Sequence, residues 1–282
     1  MADDTSDERS SGHRVRWWWI AGGAVLVVAV AVGVFFVLLA TRETAPPSLD
    51  EALRRQGGTT GTTARPGGPA RPAPGVYTAT GSGTETLGIP SAPQSEGPTM
   101  PLAVSVDAQG CNLMRIDYNA NHWQTWTYCP QPDGTIVEKG GQTFQRFDLV
   151  AIKPENLSTF VCDPPSPVLI PDAEPGRVID QSCSGTSTGT QGSVTSAGPA
   201  TYVGPEELTI GGTVVRVHRM HQERTLSGAQ TGTEVAETWF TDEGLPVRNE
   251  KKTRVASPSP VGDITYVEEG SWQLDSLTPR SG

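Results

Sequence analysis

CNLMRIDYNANHWQTWTYC, residues 111–129, has a cysteine at each end and a polar turn at its middle. Two runs of alternating apolar and polar residues flank Asn-Ala-Asn, the pattern of an antiparallel hairpin. Folding the chain back about Ala120 sets Cys111 opposite Cys129, Asn112 opposite Tyr128 and Met114 opposite Trp126. Met114, Ile116, Tyr118, Trp126 and Tyr128 then share one face, the expected core side. Cys111 and Cys129 share the other face. Directly opposed residues have Cα atoms ~4.5–5.5 Å apart, within disulfide range. The register therefore predicts Cys111–Cys129, and elimination leaves Cys162–Cys183.

Working outward, the same texture fills residues 76–282. Short alternating runs are broken by Gly, Pro, Asp and Asn, which reads as antiparallel β structure. Strands are expected at 135–138 and 143–152, then in a meander at 207–210, 213–222, 233–241, 245–255 and 263–277. The five prolines between Cys162 and Cys183 exclude a regular central strand there. That segment is expected as a stapled surface loop with a short helix near 177–180, followed by a mobile Gly/Ser/Thr-rich run at 184–199. A faint echo links Thr125-Trp126 and Asp133-Gly134 with Thr238-Trp239 and Asp242-Glu243-Gly244; two similar hairpins account for it. No run beyond residue 76 has helical periodicity over ten residues. A long curved sheet must then close on itself or offer a concave face, so the fold class is mainly β, a curved half-barrel or a closed barrel.

Upstream, residues 17–40 read WWWIAGGAVLVVAVAVGVFFVLLA with no charge. At ~1.5 Å per residue a helix of that length crosses a ~30 Å hydrocarbon core. Trp17, Trp18 and Trp19 stand at one end, where indole rings suit the membrane interface. The run is too long for a signal-peptide core, and Leu38-Leu39-Ala40 lacks the small-x-small cleavage pattern. An uncleaved anchor is expected, with residues 1–16 as a cytoplasmic tail. Residues 41–75 form a Pro/Gly-rich linker. Within it, Ser48-x-x-Glu51 has the form of a capping box, predicting a short helix at 48–55. All four cysteines lie beyond the anchor, none in a CxxC spacing, and an even count in an exported domain reads as two disulfides. That places the C-terminal domain outside and the N-terminus inside.

The chain of 282 residues carries a net charge of −10, and the part beyond residue 40 carries 18 basic against 27 acidic residues. Such an acidic domain argues against nucleic acid as a partner. Catalytic signals are absent: no GxSxG elbow surrounds any serine, and no cysteine is left free once both disulfides form. His218 and His221 form an HxxH, but three positions apart on a strand they face opposite sides and cannot chelate one metal. The carboxylate pairs Glu206-Glu207, Asp242-Glu243 and Glu268-Glu269 read as solvated. Asn156-Leu157-Ser158 matches a glycosylation sequon. No metal ligand set and no cofactor are expected.

The passage VGPEELTIGGTVVRVHRMHQERT…GTEVAETWFTDEGLPVRNEKKT resembles the strand run of half-barrel envelope proteins, in which a G-x-E-x-[LV]-x-x-G-G-T strand precedes a T-x-W-F…GLP-[VL]-R hairpin. It is similar to the LolA-like lipid-carrier superfamily and to membrane-anchored actinobacterial relatives. The resemblance implies a concave sheet face that holds acyl chains. Among the large apolar side chains, Trp126, Tyr128 and Trp239 are the candidate ligand-face or core aromatics. The expected function is a membrane-tethered, extracytoplasmic, non-catalytic binding module for a lipid or other apolar ligand. Two alternatives stand beside it: a structural or protein-interaction component of an envelope assembly with a filled core, and an envelope hydrolase.

Overall fold

The computed structural model describes residues 47–56, 71–88, 93–148, 153–259 and 262–280. The expected span at 17–40, with Trp17, Trp18 and Trp19, lies outside them. Among the described residues no helix is long and apolar enough to cross a membrane.

Among the described residues thirteen strands follow one short helix. They are α1 (Leu49–Gln56), β1 (Gly75–Leu87), β2 (Gln94–Glu96), β3 (Thr99–Val106), β4 (Asn112–Asn119), β5 (His122–Pro130), β6 (Ile136–Arg146), β7 (Glu155–Leu169), β8 (Val178–Ser187), β9 (Ser193–Ile210), β10 (Thr213–Gly228), β11 (Thr231–Phe240), β12 (Pro246–Ser257) and β13 (Ile264–Leu274). From β3 to β13 each strand pairs antiparallel with the next, and β13 returns to pair with β1 from Ala79↔Leu274 to Leu87↔Tyr266. Of the two architectures expected, the closed one is found: a twelve-strand up-and-down barrel with β2 added. β2 continues the line of β3 along β1, since Gly83↔Glu96 and Thr80↔Thr99 belong to one register. Closure pairs the edges that an open sheet would leave exposed.

The hairpin at 111–129 has the expected register, with Met114 opposite Trp126 and Asn112 opposite Tyr128. Cys111 and Cys129 are bonded, Cα atoms 4.2 Å apart, and pack with Val137 on the outer face. Cys162–Cys183 is also bonded, at 4.0 Å. It does not staple a surface loop. Val161 pairs with Ser184, so the two half-cystines are direct cross-strand neighbours, buried on the inner side of β7 and β8.

Three local expectations are corrected. The helix near 177–180 is the start of β8, and the run at 184–199 forms the ends of β8 and β9. There, ladder pairing with both neighbours outweighs the weak strand preference of Gly and Ser. The expected strands at 135–138 and from 143 are one strand, β6, bent by a bulge between Glu138 and Gly140. The prolines after Cys162 sit past that bulge, where β7 pairs only with β6. This is where a strand tolerates a residue without an N–H.

The chain upstream of the barrel does more than span distance. Ser48 Oγ accepts the Glu51 N–H, as the capping pattern predicts, and α1 buries Ala52. Arg55 donates to Asp117 at 3.2 Å and Gln56 to the Val104 carbonyl, which ties the helix to β3 and β4.

We call the end carrying Leu87, His122 and Tyr266 the upper end. Inside the lower half, Tyr77, Leu102, Ile116, Met220, Phe240 and Leu274 are buried in one apolar cluster. Past a bulge at Arg219/Met220, the β9–β10 hairpin leans along the lower ends of its neighbours. Glu206 accepts the Trp239 indole N–H at 2.8 Å, and Gln273 donates to the Thr209 carbonyl.

Candidate functional site

The upper half of the barrel is different in kind. Its interior holds a cavity of about 300 Å³. Leu87, Phe147, Phe160, Leu226, Val255 and Ile264 give it apolar walls, and Gln124, Glu234, Lys251, Thr253, Tyr266 and Glu268 its polar ones. A smaller space of about 120 Å³ shares Gln124, Glu234 and Lys251 with it and reaches Trp126 and Tyr128. Alternation builds this lining: every second residue of β12 and β13 points inward, and the registers set Lys251 opposite Gly270 and Thr253 opposite Glu268.

Of the three candidate aromatics, the structure brings two together. Tyr128 is buried, stacks near Trp126 with ring centroids 6.5 Å apart, and meets Phe240 edge-on at 5.8 Å. Trp239 faces the other way from Thr238 and Phe240. It is buried on the outer side of β11 between the guanidinium groups of Arg219 and Arg248, 5.2 and 4.6 Å from its ring. It lines neither space, which also separates it from its echo partner Trp126.

Beside the cavity lies a cluster that sequence reasoning missed. Lys251 Nζ sits 2.6 Å from Glu268 Oε1, 3.1 Å from Gln124 Oε1 and 4.8 Å from the centre of the Tyr118 ring. The single Tyr266 hydroxyl lies 2.9 Å from Glu268 Oε2 and 3.2 Å from Glu85 Oε2. Asn119 Nδ2 donates to Glu85 Oε1 at 2.8 Å. His122 Nδ1 stands 3.4 Å from Glu85 Oε2 and 3.5 Å from Glu96 Oε1. Glu85, Glu96, His122 and Glu268 are all under 5% exposed. The expectation that Glu268-Glu269 is a solvated pair is therefore half wrong. Glu269 pairs outside with Lys252, whereas Glu268 points inward.

Burial raises the Glu85 and Glu96 carboxyls above their ordinary range. Burial would lower His122, but the carboxylates of Glu85 and Glu268 outweigh it and hold the imidazole up. Lys251 is likewise disfavoured by burial yet held well above its usual value, chiefly by Glu268. For Glu268 itself the Lys251 ammonium overcomes burial and lowers the carboxyl. Three buried carboxyl groups thus face one buried ammonium and one buried imidazole, and a buried charge needs a partner.

Among the described residues, two groups have the composition to hold a metal: Glu85–Glu96–His122 and Glu138–Cys162–Cys183. In the second both sulfurs are in a disulfide, which removes the thiolates a metal would need. The two histidines of HxxH do face opposite sides. His218 bridges Tyr202 Oη at 2.8 Å and Asp242 Oδ1 at 2.6 Å at the lower end, while His221 joins Glu237 and Glu223 on the outer face.

Compared with protein-family models, with curated proteins and with solved structures, the chain matches none.

Proposed function

We propose that this chain is a membrane-tethered, extracytoplasmic binding module that takes a small lipid-like or other apolar ligand into the upper cavity of its barrel. The observation that carries the reading is the cavity itself: apolar side chains at its walls and a few convergent polar groups at one side, the usual make-up of a small-molecule site. Its volume is about twice the ~150 Å³ that accepts one benzene ring, so it suits a short chain or a fused ring. Among the described lining residues Lys251 is the one ammonium, against Glu155, Glu234 and Glu268, so an uncharged polar head is favoured over an anionic one. The uncharged stretch at 17–40 supports the tether, and two disulfides support an oxidising compartment.

A neutral naphthylamine dye tests the cavity. Its fluorescence is expected to rise on mixing with the purified chain, and a medium-chain alcohol is expected to displace it better than the matching fatty acid. Leu226→Trp, which fills the cavity wall, is expected to abolish the uptake. No dye signal, together with native mass spectra free of bound small molecules, would rule the reading out. Reporter fusions at the C-terminus test the orientation, with activity expected only for a reporter that works outside the cytoplasm.

A further inference from the structure

We propose that Glu85, Glu96 and His122 form a binding site for one divalent transition-metal ion, held by two carboxylates and one imidazole in the wall of the barrel. This inference does not rest on the ligand reading above.

Three observations converge. The first is unmet bonding capacity. His122 is 0% exposed, yet neither ring nitrogen has a hydrogen-bond partner, and Glu96 Oε1 has none either. Buried polar atoms without partners are rare because each costs its full desolvation. Two of these atoms, His122 Nδ1 and Glu96 Oε1, stand 3.5 Å apart.

The second is spacing. A carboxylate that simply paired with a protonated imidazole would close to ~2.7–2.9 Å. The observed separations are 3.4 and 3.5 Å, and the three donor atoms all lie within 4.8 Å of one another. With bonds of ~2.0–2.2 Å, the edges of a tetrahedral zinc site are roughly 3.3–3.6 Å long. The two separations from His122 Nδ1 match such an edge.

The third is charge and support. Glu85, Glu96 and Glu268 face Lys251 and His122, and a dication added to three carboxylates, one ammonium and a neutral His122 makes the cluster neutral. Asn119 holds the far oxygen of Glu85, an outer contact of the kind that fixes a metal-binding carboxylate. Gly83 and Gly270 leave the room Glu96 occupies: a Cβ on either would come within 2.3 or 2.4 Å of Glu96 Oε2. Tyr266 and Glu268 connect the cluster to the cavity lining. One imidazole and oxygen donors suit zinc, manganese or iron(II) rather than copper(I) or a soft thiolate-seeking ion.

The test uses the full chain, purified, stripped with chelator and reloaded with Co²⁺ or Zn²⁺. One ion per chain is expected, with visible Co²⁺ bands of tetrahedral intensity and a melting temperature that rises with free Zn²⁺. Glu96→Gln and His122→Gln are expected to weaken binding by more than ~100-fold, and Asn119→Ala by ~10–100-fold. Should the two ligand variants fail to fold, X-ray absorption on the wild-type chain decides. A shell of nitrogen and oxygen with a single imidazole supports the site. Sulfur in the shell, a second imidazole, or failure of the stripped wild-type chain to take up metal overturns it. So does a folded Glu96→Gln that binds as tightly as wild type.

Discussion

Gly83 and Gly270 face each other across the seam where β13 closes on β1, and the carboxylate of Glu96 lies over both. Closure of the barrel and burial of Glu96 thus depend on the same pair of missing side chains. Gly83→Ala would place a Cβ 2.3 Å from Glu96 Oε2, 2.8 Å from the Gly270 Cα and 2.9 Å from the Glu269 carbonyl. Two of these are backbone atoms and cannot swing aside. The substitution is expected to cost ~1–3 kcal/mol, the usual range for overpacking. Gly88→Ala, whose Cβ would meet Thr265 only at 3.4 Å, is expected to change little. Urea denaturation midpoints of the two variants make the comparison.

The Lys251–Glu268 pair gives a second expectation. Both side chains are under 10% exposed. Lys251→Met leaves Glu268 buried without its counter-charge and is expected to destabilise the barrel by ~3–5 kcal/mol. Lys251→Met combined with Glu268→Leu removes both charges and is expected to cost clearly less than the sum of the single changes. A double-mutant cycle by chemical denaturation reads the coupling.

Both disulfides close loops of similar length, with sequence separations of 18 and 21. The chain-entropy account assigns each ~3 kcal/mol. Their surroundings differ, since Cys162 and Cys183 fill interior space and Cys111 and Cys129 sit on the outer face. Replacing Cys162 and Cys183 by Ala is expected to cost more than replacing Cys111 and Cys129, because it adds a cavity. Melting temperatures of the two double variants check the order.

The outer network of Arg219, Glu237, His221 and Glu223 predicts a pH dependence. Hydrogen bonding to Glu223, with Glu237 beside it, raises the His221 imidazole above its ordinary 6.5. Its contribution is full below that value and lost as pH rises through the higher folded value. For Glu237, burial alone would raise the carboxyl, but Arg219 and His221 outweigh it and lower it below 4.5. Its contribution is full above that value and lost as pH falls through the lower folded one. The stability gap between wild type and Glu237→Gln is therefore expected to be widest at about pH 5–6 and to shrink on either side. Denaturation curves across that range, with NMR titration of His221, measure it.

The sequence disclosed what is local. Residues 111–129 carry strict alternation around a tight turn, so register, face and disulfide all follow from spacing. The turns at Gly211-Gly212 and Asp242-Glu243-Gly244 were legible for the same reason. The seam was not, because no local signal joins Ala79 to Leu274. Nor was the buried cluster. Glu85, Glu96, His122, Lys251 and Glu268 come from five strands, and each alone looks like an ordinary strand residue. One trace was present: Glu85 and Glu268 hold inward positions next in parity to Gly83 and Gly270, where a charge flanked by small residues marks a crowded interior. Facing parity was readable, but the identity of the neighbours came only with closure.

The seam also governs when the molecule can come into being. Its two edges lie nearly two hundred positions apart, so a ribosome must release almost the whole β-rich segment before the ring can shut. Until then a nascent chain carries two long unpaired borders and no enclosed space, the condition in which sheets find the wrong neighbours. Loss of 264–274 would leave that condition permanent. Truncated material is expected to accumulate as aggregates, not as a smaller barrel.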